Sequence, residues 1–369
     1  MARSVADSDD CPFARLPANG EATSVVEQSR ARRTVKRRMT RNLSKPVVHR
    51  TRVGALILSV ALAACDRSAN GDTGRSAYVD TDSMGVRPAA IATVPLHARP
   101  GLLENSVAVM SRSQPGVFYS MNDSDNEPLV FALDTTGHDR GLWRVTNATN
   151  IDWESASLGP CGEAQHATTC IYIGDTGDNE SVYPTRAIYR AAEPSAAQSA
   201  GFNRAFTAEK LTYVYADGPH NVEAMYVAPN GDMIFIAKSP LRARDGHLRP
   251  ALVYRLPATA WSATRAIAEL IDSLSIVPGS APLRVVTDAS LSPNGRHLAV
   301  RTYEQVFVYA TDSLTGRVEH SVAPAICNIV SLGEAQGEGI SWVDNRGRFI
   351  FTSEGGASPL VIATCPLPR

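Results

Sequence analysis

The amino-acid sequence predicts an all-β protein, and three observations support this fold class. Helical periodicity is nearly absent from the 369 residues, with only Ala260–Leu270 ambiguous. Short apolar strand segments recur with hairpin turns between them, as at Pro229–Asp232 and Pro293–Arg296. Five segments also repeat one order: an acid, a short strand, a turn, and an apolar strand that ends in a polar residue. Four strands in repeats of roughly 50–70 residues predict a β-propeller.

Each repeat begins at an acid, and these acids are Glu104, Glu154, Glu223, Asp288 and Glu338. The fifth repeat ends after its third strand. The segment Ala90–Leu96 precedes the first repeat, so this N-terminal strand is expected to complete the fifth blade and close the ring. We therefore predict five four-stranded blades. The two longest intervals between acids leave six blades as the alternative.

The N-terminal region has the sequence features of an export signal. The apolar run Val53–Ala64 is too short to span a bilayer as a helix but suits a signal-peptide core. Its last three residues and the next one form Leu62-Ala-Ala-Cys65. This motif resembles the bacterial lipobox, which implies lipidation of Cys65. Translation is predicted to start at Met39. The predicted organisation is residues 1–38 as upstream artefact or extended n-region, 39–64 as signal peptide, 65–87 as flexible tether and 88–369 as propeller.

Cysteine and charge usage agree with an exported protein that faces the periplasm or cell surface. Four cysteines remain after Cys11 and Cys65, and an even number predicts two disulfides, Cys161 with Cys170 and Cys327 with Cys365. Residues 1–65 hold 12 Lys/Arg and 5 Asp/Glu, whereas the remainder holds 24 and 32. The folded part is thus acidic, which argues against nucleic acid as a partner.

Five short motifs together resemble a family of exported bacterial propeller lipoproteins. They are Asn122-Asp-Ser-Asp125, Asp152-Trp-Glu154, Gly174-Asp-Thr-Gly-Asp-Asn179, His220-Asn-Val-Glu-Ala224 and Gln336-Gly-Glu-Gly339. The family is akin to the SdiA-regulated proteins and, more loosely, to the NHL and SMP-30 propellers. The resemblance implies the fold but no activity. The looser relatives include calcium-dependent lactonases and phytase-like phosphoesterases, whose catalytic motifs have no residue-by-residue match in this sequence.

The repeat predicts one polar face. The first strand of a blade starts, and the second ends, on the same side of a propeller. This places ten residues on the face: Glu104, Asn122, Glu154, Asp175, Glu223, Lys238, Asp288, Arg301, Glu338 and Glu354. Like charges about 5–8 Å apart repel by about 2–3 kcal/mol per pair at an effective dielectric near 20. The acids are therefore expected to take up protons, to pair with Lys238 and Arg301, or to bind Ca²⁺; alternatively, they cap backbone groups of the next blade.

Candidate metal ligands and catalytic residues come from the same face. The metal candidates are Glu154, Asp175, Asp178, Glu223 and Glu338, with calcium as the candidate ion. The catalytic candidates are His220, Lys238 and Arg301, and Tyr303, Trp153 and Gln336 are further candidates for contacting a ligand, although Trp153 also suits a place between blades. No serine-hydrolase, zincin or P-loop motif occurs in the sequence.

Three functions follow as hypotheses. The first is a membrane-anchored propeller that binds a small polar ligand, a glycan or a protein through its acidic face, with calcium as a candidate cofactor. The second is a metal-dependent hydrolase of phosphate-ester or lactone type. The third is a scaffold whose repeats serve only stability.

Overall fold

The computed structural model describes residues 85–98, 100–162, 168–196, 203–238, 249–276, 284–355 and 358–369. The predicted leader, the lipidation site Cys65 and most of the tether lie outside the described residues. Within them, no helix is both long and apolar enough to cross a bilayer.

The described residues form 21 β-strands and two short 3-10 helices. The first ten strands are β1 (Ala89–Val94), β2 (Val109–Met110), β3 (Val117–Ser120), β4 (Leu129–Asp134), β5 (Asp139–Val145), β6 (Trp153–Pro160), β7 (Thr169–Asp175), β8 (Arg186–Ala192), β9 (Asn203–Phe206) and β10 (Glu209–Tyr215). The others are β11 (Val222–Val227), β12 (Met233–Ala237), β13 (Ala251–Leu256), β14 (Ala266–Leu274), β15 (Val286–Leu291), β16 (His297–Thr302), β17 (Gln305–Ala310), β18 (Ala325–Asn328), β19 (Gly337–Trp342), β20 (Arg348–Ser353) and β21 (Leu360–Thr364). The 3-10 helices are Ala258–Ser262 and Val330–Leu332, so the ambiguous segment Ala260–Leu270 divides between the first of these and β14.

The strands pair as antiparallel meanders of four. We number the units in chain order: β2-β3-β4-β5, β6-β7-β8-β10, β11-β12-β13-β14, β15-β16-β17-β18, and β19-β20-β21 with β1. Two parallel pairs add to this pattern. Strand β9 lies along the outer edge of unit one beside β5, and β10 pairs with β14, which joins the outer strands of units two and three.

The units form a ring that the N-terminal strand completes. The inner strands contact one another in the cyclic order β6, β11, β15, β19, β2 and back to β6. Strand β1 pairs with β21 from Ala89 opposite Thr364 to Val94 opposite Leu360, which agrees with the role predicted for Ala90–Leu96. A ring of antiparallel meanders around inner strands is a β-propeller.

Each hydrophobic core fills the space between two neighbouring units. Trp153 and Tyr189 of unit two pack against Tyr119 of unit one, and similar clusters separate units two and three, three and four, and four and five. The fifth cluster joins Phe118 of unit one to Ile350 of unit five. Buried aromatic and aliphatic strand residues thus hold neighbouring units together along the strand faces, which leaves the strand ends for polar side chains.

Both predicted disulfides are confirmed. Cys161 and Cys170 join the end of the β6–β7 hairpin, with 5.0 Å between their Cα atoms. Cys327 in β18 bonds Cys365, which follows β21, with a Cα separation of 5.5 Å. The second bond ties the end of the chain to unit four. Two disulfides are typical of a protein that folds in an oxidising, extracytoplasmic compartment.

Candidate functional site

Three of the predicted acids are extra residues in β-bulges at the start of inner strands. In unit two, Trp153 pairs with Asp175 and Ser155 pairs with Gly174, so Glu154 has no partner in the ladder. Glu223 occupies the same place in β11, and Glu338 with Gly339 does so in β19. A bulge re-aims a side chain out of the sheet. These bulges therefore bring Glu154, Glu223 and Glu338 to one end of the ring.

Unit four is displaced by one residue relative to the predicted repeat. Its bulge residue is Thr287, because Val286 pairs with Thr302 and Asp288 pairs with Arg301. The position that follows the second strand, held by Lys238 in unit three, is therefore held by Tyr303 in unit four. The prediction that Asp288 and Arg301 lie on the polar face is wrong for this reason. A single-residue shift turns each side chain to the other side of a strand.

Asp288 and Arg301 instead join units four and five. The fully buried Asp288 carboxylate accepts backbone N–H groups of Ala289 at 2.7 Å and Ile340 at 2.8 Å. The Arg301 guanidinium, also fully buried, donates to the carbonyl oxygens of Gly339 at 2.6 Å and Thr352 at 3.2 Å and to Glu334 at 2.6 Å. Asp288 therefore caps a backbone N–H group of the next unit, which is the alternative role predicted for the acids.

We expect Asp288→Ala to lower the free energy of unfolding by about 1–3 kcal/mol, because two buried N–H groups lose their acceptor. Urea unfolding of the variant measures this, with Asp344→Ala in the exposed β19–β20 turn as the control. Stability equal to that of the parent protein would contradict the interblade role of Asp288.

Lys238 lies among three acids at the centre of the polar face. Its ammonium is 2.5 Å from Glu223 Oε1 and 6.0 Å from the Tyr303 ring centroid. Burial alone would lower the pKa of Lys238, but the carboxylates of Glu223, Glu338 and Glu154 outweigh burial and raise it. Glu338 in turn accepts hydrogen bonds from the Tyr303 hydroxyl at 3.0 Å and from Gln336 Nε2 at 3.1 Å. Lys238 is thus a fixed cation, and Tyr303 and Gln336 hold Glu338 beside it.

A second group of acids, which we call the acidic triad, consists of Asp123, Asp152 and Glu154. One carboxylate oxygen from each lies within 4.8 Å of the others. Gly177 makes this approach feasible, because a Cβ there would lie 2.6 Å from Asp152 Oδ2 and from Glu154 Cγ. Burial and the neighbouring Asp123 raise the pKa of Asp152 to about 6. Burial, Glu223 and Asp123 raise that of Glu154 well above its usual range.

Two further acids of the face also have raised pKa values. Burial raises the pKa of Glu223 to about 8, although Lys238 opposes this shift. Burial and Glu338 raise the pKa of Glu354 to about 7. The face therefore concentrates more negative charge than Lys238 neutralises, and additional protons or a cation are needed near neutral pH.

The other predicted face residues lie near this end but have local partners. Glu104 accepts from Asn126 Nδ2 at 2.8 Å, and Asn122 Oδ1 accepts the backbone N–H groups of Leu103 and Glu104. Asp175 is buried against Arg186 at 3.2 Å. The Asp178 carboxylate accepts backbone N–H groups of residues 182 and 183. Asp175 and Asp178 are therefore engaged in loop and strand hydrogen bonds, whereas Glu154 belongs to the acidic triad.

The catalytic candidate His220 contacts an acid and a tyrosine near the start of β11. Its Nε2 lies 2.9 Å from Asp217 Oδ1 and 2.6 Å from the Tyr254 hydroxyl. Trp153 is fully buried between units one and two, so it contacts no ligand on the face.

Asp123 and Asp152 were not among the predicted metal ligands. Both occur in the short motifs quoted above: Asp123 directly follows the predicted face residue Asn122, and Asp152 lies two residues before the bulge residue Glu154. Asp152 and Glu154 flank Trp153, and this alternation is a sequence signal for two acids on one side of the strand. Their approach to Asp123, however, requires the contact between units one and two.

The chain matches no family model and no curated protein. Among solved structures it is similar to a luciferin-regenerating enzyme, with 10% identity and a TM-score of 0.36 over 74% of this chain and 81% of that one. It is also similar to a gluconolactonase from Xanthomonas campestris, with 13% identity and a TM-score of 0.32 over 77% and 98%, and to a chain of a nidogen/laminin complex, with 8% identity and a TM-score of 0.35 over 68% and 73%. Similarity at this level does not indicate a function.

Proposed function

We propose that the acidic triad binds a divalent cation, with calcium the best fit, and that this cation and Lys238 together bind a small polar anion on the propeller face. The observation that carries this proposal is the convergence of three carboxylate oxygens within 4.8 Å. Oxygen ligands lie 2.3–2.6 Å from calcium, so two ligands of one ion are at most about 5 Å apart. The spacing of the triad fits that limit.

Electrostatics favour a cation over an empty triad. Two ionised carboxylates at this distance repel by about 3 kcal/mol at an effective dielectric near 20. Lys238 is already paired with Glu223, so it offsets only part of the charge. Calcium suits the triad better than magnesium, because it accepts carboxylate ligands in irregular geometry and gives up its water more readily.

A metal-dependent hydrolase of phosphate-ester or lactone type is the second candidate. The observation in its favour is that Lys238 interacts electrostatically with Glu154 of the triad, which sets an ammonium close to the cation. A bound divalent cation supplies Lewis-acid activation of an ester oxygen or of water. Lys238 would then stabilise developing negative charge, and Tyr303 and Gln336 would keep Glu338 positioned beside it.

We also propose that the protein is exported and held at a membrane through lipid on Cys65, with five blades in its propeller. The two disulfides and the five meander units of the described residues support these points. Metabolic labelling with a palmitate analogue, compared between the parent protein and Cys65→Ser, tests the anchor. Equal labelling of both proteins would contradict it.

Calcium is expected to raise the melting temperature of the chelator-treated protein. At one hundred times its dissociation constant a ligand stabilises by about 2.7 kcal/mol, which corresponds to roughly 5–10 °C for a domain of this size. Differential scanning calorimetry with EDTA, calcium or magnesium measures this. An unchanged melting temperature with either metal would refute the cation site.

The stability of the metal-free protein is expected to fall as the pH rises. Burial raises the pKa of Asp152 to about 6 and that of Glu354 to about 7, so both bind protons more tightly when folded. Their stabilising effect is complete below the unfolded pKa near 4 and is lost as the pH passes 6 and 7. Melting temperatures in EDTA from pH 5 to 8 should fall, and Asp152→Asn with Glu354→Gln should reduce that fall. A slope unaffected by the two substitutions would contradict this assignment.

A further inference from the structure

A pocket of about 350 Å³ lies at the end of the ring opposite the polar face. The inner strands β2, β6, β15 and β19 begin near that face, and the lining comes from the other end of each and from the residues that follow. It consists of residues 108–112, 156–158, 289–291 and 341–343 together with Pro293. The volume lies within the usual range for a small-molecule site, about 300–1,000 Å³. The ring therefore has a second concave site, separate from the acidic triad.

Arg112 is the only charged residue in this lining. Its side chain is exposed to solvent, and its guanidinium forms no hydrogen bond or salt bridge with the described residues. The surrounding protein nevertheless displaces part of its water, and this desolvation lowers the pKa of Arg112. A guanidinium that has lost water without gaining a partner favours binding of an anion.

Glu193 is the acid that interacts electrostatically with Arg112, but it has other partners. Its Oε1 accepts hydrogen bonds from the Ser111 hydroxyl and, at 3.4 Å, from the Tyr119 hydroxyl. Glu193 is absent from the pocket lining. The donor groups of Arg112 are therefore free to bind a ligand.

Two serine hydroxyls add donors to the lining. Ser341 Oγ accepts the backbone N–H of Met110 at 3.0 Å, so its own proton is available to a ligand. Ser290 accepts the Trp342 Nε1 proton at 2.7 Å through its backbone carbonyl, and its hydroxyl has no partner among the described residues. The lining thus combines one cation with two hydroxyl donors and contains no carboxylate, which suits an anion of single charge.

Carbon-rich side chains form much of the remaining lining, among them Met110, Leu158, Leu291 and Trp342. Apolar surface of this kind is covered favourably by the carbon atoms of a ligand. An inorganic anion would leave it in contact with water. The planar guanidinium matches the two oxygens of a carboxylate, so a single carboxylate on an apolar body fits the lining in both charge and shape.

We propose that this pocket binds a small monocarboxylate with an apolar body, of the aliphatic-acid class. The carboxylate would accept from the Arg112 guanidinium and from the hydroxyls of Ser290 and Ser341, and the hydrocarbon would pack on Leu158 and Leu291. The site is independent of the proposed function, since it lies at the other end of the ring and uses none of the acids of the polar face.

Three probes separate the features of such a ligand. Hexanoate has the carboxylate and the chain, hexan-1-ol has the chain without the charge, and acetate has the carboxylate without the chain. We expect isothermal titration of the full chain to give hexanoate at least about tenfold higher affinity than either of the others. Absence of hexanoate binding, or an affinity equal to that of hexan-1-ol or of acetate, would overturn the proposal.

Arg112→Met tests the cation. It should lower hexanoate affinity about tenfold or more, to the level of hexan-1-ol, and leave the affinity for hexan-1-ol unchanged. The variant should fold normally, because the guanidinium has no structural partner among the described residues. Arg346→Met is the matched control, since Arg346 is exposed in the β19–β20 turn at the same end of the ring but outside the lining. Parent-like hexanoate affinity in Arg112→Met would overturn the proposal.

Ser290→Ala tests a hydroxyl donor. Loss of one hydrogen bond to a charged group should lower hexanoate affinity on the order of tenfold without changing the melting temperature. Ser113→Ala is the control, because Ser113 is exposed next to Arg112 and is absent from the lining. Hexanoate affinity equal to that of the parent protein would overturn the contact assigned to Ser290.

The same titrations in EDTA and in calcium distinguish this site from the cation site proposed for the polar face. Hexanoate affinity should be equal in both, because the two sites lie at opposite ends of the ring. Loss of hexanoate binding in EDTA would assign the carboxylate to the cation and overturn the pocket. Hexanoate binding that persists in a protein that binds no calcium would refute the proposed function and support the pocket.

Discussion

Asp152→Asn is expected to lower the affinity for calcium on the order of 100-fold, because it removes one of three carboxylates that converge on the ion. The side chain suits this test, since the structural hydrogen bonds of Asp152 come from its backbone: its N–H donates to Asp175, and its carbonyl accepts from Thr176 and Gly177. Isothermal titration calorimetry of chelator-treated protein measures the loss.

The same substitution should have an opposite effect on the metal-free protein. Because burial and Asp123 raise the pKa of Asp152 to about 6, its ionised form destabilises the fold at pH 8, and asparagine relieves that cost. Asp152→Asn should therefore melt higher than the parent protein in EDTA and lower in calcium. Asp344→Asn, at the other end of β19, is the control. Parent-like calcium affinity in Asp152→Asn would remove this residue from the site.

Arg301→Met is expected to destabilise the protein by about 3–5 kcal/mol, which corresponds to a melting temperature lower by on the order of 10 °C. The guanidinium is fully buried and neutralises Glu334, whose side chain is 8% exposed. Burial already raises the pKa of Glu334, and Arg301 opposes that shift. Without the arginine, Glu334 must be buried with an uncompensated charge or take up a proton.

Glu334→Gln in the Arg301→Met background distinguishes this cause from lost packing. The second substitution removes the stranded charge and should recover part of the stability, as measured by urea unfolding. A face residue, in contrast, would change ligand affinity with little effect on unfolding. A loss below about 1 kcal/mol for Arg301→Met would therefore contradict its role between units four and five.

The repeat pattern was sufficient to predict the fold class because hairpin turns and short apolar strands are local signals. The residue types of the hairpin turns predict those turns directly. The ring closure by β1 follows from counting strands, because the fifth repeat lacks one strand and an unassigned strand precedes the first repeat. The disulfides followed from cysteine count and from the hairpin between Cys161 and Cys170, which leaves one pairing for Cys327 and Cys365.

The polar face was harder to predict because bulges alter its register. Glu154, Glu223 and Glu338 occupy bulge positions and agree with the repeat, whereas the bulge of unit four falls on Thr287. Nothing in the local sequence fixes where a bulge lies, and one residue decides whether a side chain faces the ring opening or the next unit. Asp288 therefore looks equivalent to the other acids in sequence although it is not equivalent in structure.

The acidic triad was beyond sequence reasoning for a different reason. Asp123 follows β3 in unit one, and Asp152 and Glu154 precede and begin β6 in unit two. Their meeting depends on Asn150, whose Nδ2 donates to the Asp123 carbonyl at 2.7 Å, and on the absence of a side chain at Gly177. Both are contacts between loops, which a strand repeat does not encode.

The most direct test of the central claim is a crystal structure of the full chain grown in calcium chloride. We predict one ion with an oxygen of Asp123, of Asp152 and of Glu154 each 2.3–2.6 Å away, while Lys238 stays paired with Glu223. Electron density that shows the three carboxylates apart and no ion between them, at calcium concentrations in the millimolar range, would contradict the account.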